Sequence, residues 1–123
     1  MNWSCTIPDL PPSNNVYLRL HWAKQQRVKQ DWERWIWALV NEAKNKCPRP
    51  LERVEIRAVC FFPIDRRRDR DNFTATLAKF VQDGLVKAGI IPDDDASRCV
   101  FHPVQIMSGD EAETMITVEE VGG

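Results

Sequence analysis

Apolar and polar positions recur along this chain at two periods, and the switches between them predict its elements. Residues 8–15, PDLPPSNN, carry three prolines that restrict their own φ and their predecessors, so this segment is expected to be extended or turned. VYLRLHW (16–22) alternates and predicts a short strand. From Ala23 to Lys46 the period changes. Val28, Trp32, Trp35, Ile36, Leu39 and Ala43 recur at steps of three and four, which predicts a helix that Pro48 and Pro50 end. At this spacing Trp32 and Trp35 are expected in the core.

Residues 51–63, LERVEIRAVCFFP, return to alternation: Val54, Ile56, Ala58 and Cys60 stand against Glu55, Arg57 and Val59, a strand closed by Pro63. A second helix is predicted from an Asp71 N-cap to about Ala88, with Gly89 at its C-terminal end. Phe73, Leu77, Phe80, Val81, Gly84 and Ala88 form its apolar face, opposite a polar stripe of Asn72, Thr76, Lys79 and Asp83. After a loop at 90–96, residues 98–107 and 113–121 read as two strands joined as a hairpin around Ser108-Gly109-Asp110. The expected order is extended segment, strand, helix, strand, helix, strand, strand. This is an α+β fold in which a small mixed sheet packs against two helices, in one domain over 1–123.

Composition narrows the class. No apolar run approaches the roughly 20 residues of a membrane span, and the start of the chain lacks a basic-then-apolar leader. Cys5, Cys47, Cys60 and Cys99 are scattered without metal-ligand spacing, so reduced thiols and a cytoplasmic location are expected rather than structural zinc. The net charge of −1 conceals an asymmetry: 16 Lys/Arg against 10 Asp/Glu up to residue 91, then Arg98 against eight acids. Local basic surface, rather than the whole-chain balance, governs phosphate binding.

That surface centres on DRRRDRDN (65–72), where Arg66, Arg67, Arg68 and Arg70 stand against Asp65, Asp69 and Asp71. By itself such a run reads as a self-neutralising solvated loop. Its position between a strand and a helix offers another reading. In extended backbone Asp69 and Asp71 point to one side, and the loop carrying Asp93, Asp94 and Asp95 is expected to return near them. Clustered carboxylates without His or Cys select Mg²⁺, or Mn²⁺ as its substitute. Lys79 would pair with these carboxylates or stabilise charge at a phosphate. A calcium EF-hand is excluded, because Phe73 stands where an oxygen ligand is wanted and Phe80 where the twelfth-position glutamate belongs. Arginines that draw in a polyanion beside a metal-binding carboxylate cluster point to phosphodiester hydrolysis.

PPSNN near the N-terminus, DRDN before the second long helix and VQDGLVKAGIIPDDD after it resemble, in order and spacing, the RusA-type Holliday junction resolvases. The resemblance runs from about Pro11 to the C-terminal strands. It implies a small dimeric Mg²⁺-dependent endonuclease that cuts four-way DNA junctions. The family's catalytic aspartates fall on Asp69, Asp71 and Asp94, with Asp93 beside the last, and its basic residue before the first aspartate falls on Arg68. The helix lysine falls on Lys79 if one extra helical turn separates it from Asp71; its usual place holds Ala75. Arg66, Arg67, Arg68 and Arg70 are then DNA contacts. Asn14 and Asn15 either approach the site or form the turn. Trp3, Trp22 and Trp37 lie off the core stripe and are candidates to cover a partner copy or to pack within the chain. Two other readings share these features: a catalytically silent DNA-structure-binding module, and a metal-dependent nuclease of flaps or single strands.

Overall fold

The computed structural model describes residues 2–93, 95 and 97–121. Its first element is a strand absent from the expected order. β1 (Asn2–Ile7) buries Trp3, Cys5 and Ile7 and exposes Asn2, Ser4 and Thr6. Residues 14–19, expected to be extended, form instead a short helix, α1 (Asn14–Arg19), capped by the Ser13 hydroxyl accepting from Val16 N–H. The alternation of residues 16–22 therefore points outward. Val16, Leu18 and Trp22 are exposed, whereas Tyr17 is buried with its ring edge-on to Phe80.

α2 (Trp22–Val40) is shorter than the predicted 23–46 and is followed by a 3-10 turn at Ala43–Asn45. Arg49 closes its C-terminal end, donating to the Val40 carbonyl at 2.9 Å and to Asn41 Oδ1 at 2.8 Å, where a cation suits the unsatisfied carbonyls. The buried stripe is Trp32, Ile36 and Val40; Trp35, expected in the core, lies to one side of it and is 40% exposed. β2 (Val54–Phe62) starts three residues later than predicted and α3 (Arg70–Lys87) begins before Asp71, but both form where expected, with Gly89 at φ 75° ending the helix. The predicted strand 98–107 divides into β3 (Cys99–Phe101) and β4 (Gln105–Ser108), separated at Pro103, which has no N–H for a ladder. β5 spans Glu113–Glu120.

The sheet is mixed, as expected. β5 lies antiparallel between β1 and β2, and β3 and β4 both run parallel to β2 along its other side. The expected hairpin between the last two strands therefore does not exist. The chain crosses the end of β2 instead, with Gly109 N–H donating to the Phe62 carbonyl at 3.2 Å. A Cβ at Gly109 would meet the Phe61 Cβ at 3.0 Å, a tight contact that favours glycine at this crossing.

All three helices pack over one face of the sheet, where Val54, Ile56, Ala58, Cys60 and Phe62 of β2 meet Thr114, Ile116 and Val118 of β5 in burial. α2 and α3 approach closely at Gly84, where a Cβ would lie 3.2 Å from the Ile36 side chain. Lys29 bridges these helices to Asp83 at 2.6 Å, and that hydrogen bond raises the lysine pKa. All four cysteines are buried, and burial pushes the Cys5 thiol up to about 12. The opposite face, with Glu55, Arg57, Val59 and Phe61 on β2, carries no helix. No helix among the described residues is long and apolar enough to cross a membrane.

β2, α3 and β3 make a crossover unit, the connection that parallel neighbouring strands require. At 1.5 Å per residue the 18 residues of α3 span about 27 Å. The segment that leads into α3 thus lies at one end of β2, beside Phe62, and the segment that leaves α3 lies at the other, beside Val54.

Candidate functional site

The site begins where β2 runs out. Phe62 is the last buried residue of the strand, and Pro63 to Asp69 carry the chain across the sheet end to α3. Arg68 fixes this crossing. Its guanidinium stacks 3.9 Å from the Phe62 ring centroid and donates to the Arg66 carbonyl at 3.1 Å, while Phe62 meets Phe73 of α3 edge-on at 5.2 Å. The run is thereby tied at one residue to the core beneath it.

Asp69, rather than Asp71, is the N-cap of α3. Its Oδ1 accepts from Asp71 N–H at 3.0 Å, and Oδ2 lies 3.4 Å from the Asn72 amide nitrogen. The cap fixes the orientation of the Asp69 carboxylate and places Asp71 in the first turn, where the positive end of the helix favours an anion. A cavity of about 400 Å³ opens here, lined by Arg67, Arg68, Asp69, Arg70 and Asp71. Two carboxylates and three guanidiniums thus share one solvent-open hollow. Arg67, Arg70 and Asp71 have no ion pair within the described residues.

The remaining site expectations divide. Arg66 is exposed beside this hollow in sequence but does not line it. Lys79 is exposed and lies eight residues along α3 from Asp71, about 12 Å along the axis, also outside the lining. Asn14 opens α1 and does not line the cavity either. Asp94 lies outside the described residues. Asp93 does not return to the site: it follows the C-terminal end of α3, while Asp69 and Asp71 mark its N-terminal end. The strand–helix excursion ends beside the start of β2, where Leu51 N–H bonds the Ile90 carbonyl and Val54 N–H the Arg98 carbonyl. Asp93 Oδ1 instead accepts from Asp95 N–H, and Asp95 Oδ1 accepts from Ser97 N–H, a bond that lowers the Asp95 pKa. Among the described residues no three His, Cys, Asp or Glu side chains converge to hold a metal ion.

Two threonines that were not singled out as site residues brace the site. Thr76, expected on the solvent stripe, is buried and donates to the Pro12 carbonyl at 2.6 Å, which pins the proline segment against α3. Thr74 donates to the Arg70 carbonyl and accepts Val104 N–H, both at 3.0 Å, locking the first turn of α3 against the β3–β4 connection. Only their helical period was legible; the partners come from distant segments. The chain matches no protein-family model and no curated protein.

Proposed function

We propose that this protein is a metal-dependent endodeoxyribonuclease acting on branched DNA, with four-way junctions as its substrate class. The observation that carries the reading is the shared cavity of Asp69, Asp71, Arg67, Arg68 and Arg70, which puts metal-ligating oxygens beside phosphate-binding guanidiniums. The resemblance of the flanking motifs to RusA-type resolvases supports it. Mg²⁺ is commonly held by one or two carboxylates with substrate phosphates completing its shell, so Asp69 and Asp71 fit it as protein ligands. When bound there, the cation would supply an activated water and charge neutralisation at the scissile phosphate.

The chain's own residues would divide the remaining work. Asp69, held by its cap hydrogen bond, presents its second oxygen in a fixed direction. Arg67 and Arg70 would grip flanking phosphates as bidentate donors, with Arg68 holding the loop in place by its stack on Phe62. Lys79, further along α3, would meet the backbone beyond the cleavage point.

A homodimer belongs to this proposal. Two opposed strands of a junction must be cut, and a two-fold pair supplies two sites. The helix geometry adds a reason. Asp93 and Asp95 follow the far end of α3, a helix about 27 Å long with Asp69 at its start, so a second copy with α3 antiparallel would bring them towards the site. Trp22 and Trp37 remain exposed and available to such a contact, whereas Trp3 is buried in the core. Light scattering at micromolar concentration should give about twice the 14.3 kDa chain mass; a monomer that stays single on junction DNA would remove this part of the proposal.

The deciding experiment incubates the protein and Mg²⁺ with a labelled four-way junction, a matched duplex and a flap. Paired nicks in the junction, lost with chelator, are expected. Binding without cutting would favour the silent module, and flap cutting alone the other nuclease. Salt dependence provides an independent check. Arg67→Ala should flatten the slope of log K against log salt by about one unit, the signature of one lost phosphate contact. An unchanged slope would return the arginine run to a solvated loop.

A further inference from the structure

A second cavity, of about 700 Å³, opens on the uncovered face of the sheet. It is large enough for a small-molecule-sized group. Arg57, Val59, Arg70, His102, Gln105 and Thr117 contribute to its lining. Its charges have a particular order. Arg57 is neutralised by Glu119 at 3.1 Å and Glu55 at 3.6 Å, and Glu55 also meets His102 Nε2 at 2.7 Å. The wall is therefore a hydrogen-bonded chain of one guanidinium, two carboxylates and the His102 ring, beside the apolar Val59 and Pro103. Arg70 has no ion pair among the described residues, and it also lines the cavity of Asp69 and Asp71. Thr74 fixes the backbone of that arginine against the β3–β4 connection, so the two cavities meet at a braced residue.

A positive charge at the shared edge, with an internally hydrogen-bonded polar and apolar interior behind it, matches a single nucleotide: phosphate outside, base within. We infer that this cavity receives one unpaired nucleotide of the DNA strand engaged at Asp69 and Asp71, its phosphate on Arg70 and its base against Val59, an inference that rests on the nuclease reading. A base already outside a helix enters without the cost of unpairing, whereas a paired base must first leave its stack. The cavity thus favours strands with unpaired nucleotides beside the cut over continuous duplex.

The test measures binding in chelator, where cleavage is absent. Two short duplexes are compared by anisotropy, one fully paired and one with a single extra 2-aminopurine, whose fluorescence reports its surroundings. The wild-type protein should bind the bulged duplex about tenfold tighter, the scale of one stacked base, with a change in 2-aminopurine emission. Thr117→Trp, which fills the cavity, should equalise the two affinities. Gln105→Ala, an exposed truncation in the same lining, should also reduce the preference, and an unchanged preference in it overturns the inference where Thr117→Trp does not fold. Equal affinities in the wild-type protein, or an intact preference in folded Thr117→Trp, would overturn the inference. A bulge preference that Thr117→Trp removes, in a protein that cuts nothing with Mg²⁺, would uphold the nucleotide site and remove the nuclease reading instead.

Discussion

Asp71→Asn is expected to reduce Mg²⁺-dependent nicking of a four-way junction by more than about a hundredfold, beyond the loss caused by removing a metal ligand's supporting hydrogen bond. Junction binding should stay equal or tighten, because the change removes an anion facing the phosphates. The separation of the two effects is the informative part. Asp71 contributes only its backbone N–H to the cap of α3, so the substitution leaves that hydrogen bond in place. Asp69→Ala is a poorer probe: it removes a ligand and the N-cap together, and the cap alone is worth about 1 kcal/mol of stability. Gel-shift and cleavage assays on the same Asp71→Asn preparation check the prediction. Nicking at the wild-type rate would remove Asp71 from the chemistry.

Phe80→Ala is expected to destabilise the fold by about 3–5 kcal/mol, the range for deleting a fully buried phenylalanine. Phe80 is 0% exposed and joins the three helices at one point. Its ring lies 5.3 Å from Tyr17 of α1 and 5.9 Å from Trp32 of α2. The Tyr17 hydroxyl in turn donates to the Gln25 carbonyl, so loss of Phe80 leaves both a void and a loosened α1. Urea unfolding followed by tryptophan fluorescence would measure it. A loss below about 1 kcal/mol, the scale of a volume-conserving swap, would contradict this account of the core.

The parts of the fold that were legible are those whose period and boundaries agree. β2 alternates and ends at a proline; α3 has an apolar face, an acidic start and a glycine stop. Both stand as expected, and they carry Asp69, Asp71 and the arginines to one place. α1 failed as a strand because seven alternating residues cannot say which side is inward. Here the packed residue is Tyr17, and the apolar residues around it face out. β1 carries the same alternation in Trp3, Cys5 and Ile7, directly before the proline segment. Asp93 misled for a topological reason: proximity after a strand–helix excursion depends on the direction of the next strand. β3 runs parallel to β2, so the chain re-enters the sheet at the far end. Thr74 and Thr76 were invisible as braces, since a hydroxyl on a helix does not announce a carbonyl 64 residues away.

The edge of β1 has a bearing on how this protein behaves in concentrated solution. Asn45 donates its side-chain amide to the Ser4 carbonyl at 2.7 Å, and the Trp3 indole donates to the Asn45 carbonyl at the same distance. A loop thereby occupies one backbone acceptor of β1 that an incoming strand would need. On the other flank the pairing surface is broken into runs of three and four residues by the Pro103 interruption. Neither flank offers a long uninterrupted template for strand addition, the route by which exposed sheets recruit copies into cross-β aggregates. The sheet is guarded against open-ended growth at both sides, which leaves helices and loops as the surfaces through which closed, finite assemblies can form.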